Sequence, residues 1–93
     1  MNIPLPPPAY SAPYMGPLYV TVGTLAEVER LCHTQWGISI SSVALGCSWW
    51  QWPTCMVVIP KVDDDRITFE IQGLVLKHEL GHCNGWPATH PQK

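Results

Sequence analysis

Apolar positions along this chain follow two periods. Leu18–Val22 (LYVTV) is short and rich in β-branched residues, the mark of a strand. After Gly23 comes Thr24 with Glu27 three residues on, a capping box that opens a helix. Leu25, Val28 and Leu31/Cys32 recur at helical spacing, so an amphipathic helix is predicted over roughly 24–35, ended by Trp36-Gly37. Ile38–Leu45 (ISISSVAL) alternates and then turns apolar, and reads as a strand. Cys55–Pro60 (CMVVIP) reads as another, stopped by Pro60. Gly46–Thr54 (GCSWWQWPT) lies between them as an expected Trp-rich connection, with the flanking strands paired as a hairpin.

Val62–Arg66 (VDDDR) is a polar turn, and Asp65 or Thr68 can cap the helix that follows. From about Ile67 to Asn84 the period is again helical. Leu76, Leu80 and Cys83 share one side, and Ile71, Leu74/Val75, His78 and His82 an adjacent one. Gly85 stands where a left-handed C-cap is favoured, and Trp86-Pro87 prevents continuation. Residues 1–17 hold six of the ten prolines, which favours extended backbone and excludes a helix. This arm reads either as a tail on the surface or without order, or as a segment that binds a partner or covers a cleft, with Tyr10 or Tyr14 docked. The expected organisation is a proline-rich arm, 1–17, and a single domain, 18–93.

Composition narrows the function classes. A 46% hydrophobic chain with five Trp is too apolar for disorder. The five Lys and Arg are scattered and the net charge is -2, so no nucleic-acid footprint is present. No apolar run approaches the roughly 20 residues that span a bilayer. The first residues lack a basic segment and proline interrupts each apolar stretch before Leu18, unlike a signal peptide. The default expectation is the cytoplasm.

The chemistry is concentrated at residues 78–82, His-Glu-Leu-Gly-His, an HExxH pattern. On a helix, positions i and i+4 lie one turn apart on the same face, so two imidazoles can share one metal ion. Glu79 points beside that ion and can take a proton from a metal-bound water. Three of the four histidines lie after position 77, with His90 just past the turn at Gly85.

His78-Glu79-Leu80-Gly81-His82-Cys83-Asn84-Gly85 resembles the HExxHxxG motif of the metzincins and related small zincins. HELGHCNGW followed by His90 is more similar still to small metallopeptidases of bacteriophages and prophages. The similarity covers residues 67–90. It implies a zincin-type α+β fold, a zinc ion, peptidase activity, His78 and His82 as ligands, and Glu79 as the base. Metzincins place the third ligand three residues after the glycine, which here is Ala88, and alanine cannot bind zinc. His90 is two residues further, and Pro87 can lengthen the turn to bring it in, so His90 is taken as the third ligand. A downstream Met-turn has no room here, which sets the chain apart from true metzincins. The resemblance also implies that a strand beside the metal helix receives substrate by β-augmentation, with Cys55–Ile59 as the candidate.

The remaining chemistry-bearing residues have quieter readings. Four cysteines (Cys32, Cys47, Cys55, Cys83) allow three full pairings. Free thiols are expected in a reducing compartment, and Cys47–Cys55 is the first pair to test in an oxidising one. Cys83 projects about 100° away from His82 around the helix, toward the core or a disulfide. Trp49, Trp50 and Trp52 cannot all face one core, so they form either a substrate-binding wall or a loop folded over the core. Asp63-Asp64-Asp65 reads as a solvated turn, and His33 as a partly exposed helix residue. Tyr10, Tyr14 and Tyr19 are open choices for stabilising an oxyanion.

The expectation is therefore an α+β fold, a small zincin-like sheet packed on two helices with the metal-binding helix near the C-terminus. The expected activity is zinc-dependent hydrolysis of a peptide or protein substrate by a monomer. The alternative is a non-catalytic, zinc-stabilised interaction module, phage-encoded and acting on a host protein.

Overall fold

The computed structural model describes residues 3–36 and 44–92. It is an α+β fold in which a three-stranded sheet separates two helices. Strand β1 (Leu18–Gly23) leads into helix α1 (Leu25–Trp36). Strands β2 (Cys47–Gln51) and β3 (Thr54–Pro60) form a hairpin, and helix α2 (Phe69–Cys83) closes the order. The strands are arranged β1-β3-β2, with β1 parallel to β3 and β2 antiparallel to it.

Central placement explains why β3 is the most apolar strand. Side chains alternate between faces, and β3 is covered on both. Cys55, Val57 and Ile59 pack with Val75 and Cys83 of α2. Val58 packs on the opposite face with Val28 and Cys32 of α1. Each helix end obeys the local chemistry expected of it. The Thr24 and Glu27 capping box forms, with Thr24 N–H donating to Glu27 Oε1 (2.8 Å) and Glu27 N–H to Thr24 Oγ1 (3.1 Å). At α2 it is Thr68, not Asp65, that caps, accepting from Ile71 N–H. Asp63 instead accepts from the N–H groups of Asp65, Arg66 and Ile67 and closes the preceding turn.

Two expectations are corrected. Residues 38–43 of the expected Ile38–Leu45 strand lie outside the described residues, and Ala44 and Leu45 are not in a strand. The hairpin partner of β3 is the Trp-rich segment itself, turned at Trp52-Pro53 between the paired Gln51 and Thr54. Likewise, the disulfides are Cys32–Cys47 and Cys55–Cys83, not Cys47–Cys55 and not free thiols. The hairpin register pairs Cys47 with Val58, three residues beyond Cys55. At about 3.3 Å per residue that offset is roughly 10 Å and reverses the face, beyond the reach of a disulfide. Each bridge instead ties one helix to the sheet: α1 to β2, and α2 to β3.

Candidate metal centre

Helix α2 packs on β3 and β2, and its His78, Glu79 and His82 face one cleft with residues of β2. Its C-terminus sets the third histidine. Gly85 N–H bonds to His82 O and Trp86 N–H to Gly81 O, with Gly85 at φ 99°. This is the Schellman arrangement, and the left-handed residue it requires is the glycine expected there. The chain then turns again. His90 N–H bonds to Pro87 O, and His90 adopts φ 57°, a left-handed conformation that histidine tolerates better than most side chains. The double turn carries past the exposed Ala88 and swings His90 back over α2.

The three imidazoles meet at their Nε2 atoms. The separations are 3.2 Å for His78–His82, 3.1 Å for His82–His90 and 3.1 Å for His78–His90. The opposite nitrogens decide what those atoms are. His78 Nδ1–H donates to Pro4 O (2.6 Å), and His82 Nδ1–H donates to Trp86 O (2.7 Å). A carbonyl can only accept, so in both neutral rings the proton is on Nδ1 and Nε2 is a bare lone pair. Lone pairs aimed at each other across 3.2 Å repel unless a cation lies between them. Burial pushes the His78 and His90 pKa values down, against the Pro4 hydrogen bond that pulls His78 up, and the charge of neighbouring histidines (His82 for His78, His78 and His82 for His90) pushes them down further. The two downward effects favour the neutral, metal-binding form. The three histidines can therefore hold a metal ion.

Glu79 is buried, and its Oε1 accepts a hydrogen bond from Ser48 Oγ (2.9 Å). Ser48 and Trp50 share the face of β2 that looks toward α2, as alternation from Cys47 dictates. Burial pushes the Glu79 carboxyl up to about 7, and the Ser48 bond pulls it down. The three histidines and Glu79 line one cleft of about 560 Å³, together with Ser48, Trp50 and Trp86. Comparison with family models, curated proteins and solved structures gives no match.

All four residues expected at the site are thus neighbours, and several that sequence reasoning passed over support them. Trp86 is buried, stacks on His82 with a 5.0 Å centroid distance, and donates Nε1–H to Pro91 O (2.8 Å). In the sequence Trp86 stands out only as part of a helix stop. The Gly46–Thr54 segment reads as a connection, which hides Ser48; a strand beginning at Cys47 places it on the face it shares with Trp50.

Three other expectations find their positions. Cys83 is bonded to Cys55 and cannot ligate. Cys55–Ile59 is inside the central strand, with partners on both sides, so it cannot receive an added strand. Among the described residues, the edge strand beside the cleft is β2. The Trp cluster splits by face and position: Trp49 packs toward α1, Trp50 lines the cleft, and Trp52 is 84% exposed at the hairpin turn. Among the described residues, no helix is long and apolar enough to cross a membrane.

Proposed function

We propose that this protein is a zinc-dependent peptidase, with His78, His82 and His90 as ligands and Glu79 as general base. The observation that carries the reading is the convergence of three Nε2 atoms beside a buried carboxylate in one open cleft. Tetrahedral zinc at about 2.0–2.1 Å from each nitrogen spaces its ligand atoms about 3.3 Å apart, within about 0.3 Å of the separations seen. Metal ligation by His78, His82 and His90 leaves no fourth side-chain ligand among the described residues, since Cys83 is in a disulfide. Three protein ligands and a free position are the pattern of a catalytic site. Zinc so held lowers the pKa of water toward about 7 and polarises a carbonyl.

This chain's own residues supply the rest. Glu79 accepts a proton as the water oxygen adds to the scissile carbonyl carbon, and returns it to the amine as the C–N bond breaks. Ser48 holds Oε1 and thereby orients the carboxylate. The outer edge of β2, unpaired among the described residues, offers backbone donors and acceptors to an extended peptide, with Trp50 forming a wall beside it. The pairing of all four cysteines favours an oxidising compartment over the cytoplasm expected by default.

The test is paired. Wild type and Glu79→Gln are purified, zinc is quantified, and both are incubated with a denatured-protein or peptide library. About one zinc in each, with cleavage by wild type alone, supports the peptidase. Zinc in both and cleavage by neither favours the second reading, a zinc-stabilised interaction module. That reading draws on the exposed Trp52 and the half-exposed Trp50 as a contact patch. A wild type that cannot be loaded sinks both.

A further inference from the structure

We infer that the proline-rich arm is a working part of the metal centre, and that its Pro4 carbonyl is the positioning group for His78. This rests on the metal-site reading above. An imidazole bound through Nε2 needs its other nitrogen anchored, because that bond fixes the tautomer and the ring plane. For His82 the anchor is local, the Trp86 carbonyl at the end of its own helix. For His78 it comes from 74 residues away, the Pro4 carbonyl at 2.6 Å.

The arm is built to hold that carbonyl in place. Asn84 Nδ2 donates to Tyr10 O (3.1 Å) and Ala12 O (2.7 Å), and Gln92 Nε2 donates to Leu5 O (3.3 Å). Pro7 is buried, while Ile3 and Tyr14 pack on the core cluster beneath α2. Pro6 lies on Gly81, where a Cβ would come within 2.8 Å of its ring. Prolines at 4, 6, 7 and 8 each fix φ, and Pro8–Tyr10 form a short 3-10 turn where an extended run is expected, so the free arm has few conformers to lose on docking. Ile3 and Pro4 also line a second cavity of about 180 Å³, which shares His78 and Glu79 with the main cleft. None of the residues lining the main cleft comes from the arm. The arm therefore buttresses the site, holding His78 through Pro4 and packing Tyr14 edge-on against Trp50, without itself lining the main cleft; it is not a loose tail.

The experiment compares zinc affinity, by chelator competition, in four disulfide-bonded chains: wild type, a chain lacking residues 1–2, a chain lacking residues 1–5, and the full-length double variant Asn84→Ala with Gln92→Ala. The spectroscopic readout is the His78 Hδ1 proton resonance. Loss of residues 1–2 is expected to leave affinity unchanged. Loss of residues 1–5 is expected to weaken it about 10- to 100-fold. With it, the His78 Hδ1 signal is expected to disappear into exchange while that of His82 remains. The double variant keeps every ligand and the Pro4 carbonyl but loosens its hold, and a smaller loss in the same direction is expected.

If the chain lacking residues 1–5 fails to fold, the double variant decides the question. Unchanged zinc affinity and an unchanged His78 signal in a folded truncated chain, or in the double variant where truncation unfolds, would overturn the inference. A wild type that takes no zinc overturns the metal-site reading itself, a distinct failure.

Discussion

Single residues here carry separable tasks. Glu79→Gln removes the proton acceptor but keeps size and shape, so zinc content should hold while kcat/KM falls by a factor of about 10² to 10⁴. Ser48 tests whether orientation of that carboxylate matters. In Ser48→Ala a buried Glu79 oxygen loses its only side-chain donor among the described residues. Stability should fall by about 1–3 kcal/mol, as for other buried polar atoms left unpaired. Zinc affinity should be retained, with kcat lowered more than KM. Chemical denaturation and steady-state kinetics on one preparation check both. Part of this scale is legible in the sequence. His78, Glu79 and His82 are related by helix geometry alone, so their shared face follows from spacing. Ser48 and Trp86 act through contacts between elements, and nothing in their local pattern marks them.

At the scale of elements, helix α2 contains two glycines with opposite requirements. Gly73 is exposed, and a Cβ there meets nothing within 4 Å. Gly73→Ala should stabilise the protein by about 0.5–1 kcal/mol through helix propensity and reduced freedom of the unfolded chain. A Cβ on Gly81 would lie 2.8 Å from Pro6 and 3.1 Å from Trp86. Gly81→Ala should lower the melting temperature and loosen the arm, despite the same propensity gain. Thermal unfolding of both variants, with hydrogen exchange of residues 3–14, separates the two effects.

Element identity itself was only partly legible. β1, α1, β3 and α2 follow from period, capping and β-branching. β2 was misplaced because Gly46 and Pro53 bracket a Trp-rich run that reads as a loop; pairing with β3 makes it a strand. The cysteine pairs were illegible for a related reason. Disulfides depend on which helix lies on which face, and local pattern does not contain that.

The whole molecule is small, and its stability should depend on charge and metal together. Backbone hydrogen bonds from Ile67, Arg66 and Asp65 hold the Asp63 carboxyl below its usual range. The Thr24 backbone and hydroxyl hold Glu27 down in the same way. A carboxyl with a folded pKa below its unfolded one adds stability that is complete above the unfolded value and is lost as pH falls through the folded one. These two groups should therefore make the melting temperature of the metal-free protein decline below about pH 4.5, while the Glu79 carboxyl, raised to about 7 by burial, costs stability as pH climbs from about 4.5 through 7. Asp63→Asn and Glu27→Gln should each make the acid-side decline shallower. Metal should add stability near neutrality and lose its effect as acid protonates the three histidines. At a free zinc concentration about 1,000 times Kd, binding adds about 4 kcal/mol, so a chelator should lower the melting temperature and readdition restore it.

What the residue order dictates alone is local chemistry: the caps, the turn at Gly85, the strongly apolar strand, and the pairing of His78 with His82 one helical turn apart. These depend on neighbours within about four positions, where geometry is set by φ, ψ and the helical period. Tertiary structure decides everything that joins distant segments. It folds the Pro87–His90 turn back to complete the triad, and selects Cys32–Cys47 and Cys55–Cys83 from the three pairings. It also brings Ser48 to Glu79 and lays Pro4 behind His78. Each is a contact between surfaces whose approach is governed by packing of the two helices on opposite faces of one sheet. No spacing along the chain encodes that approach.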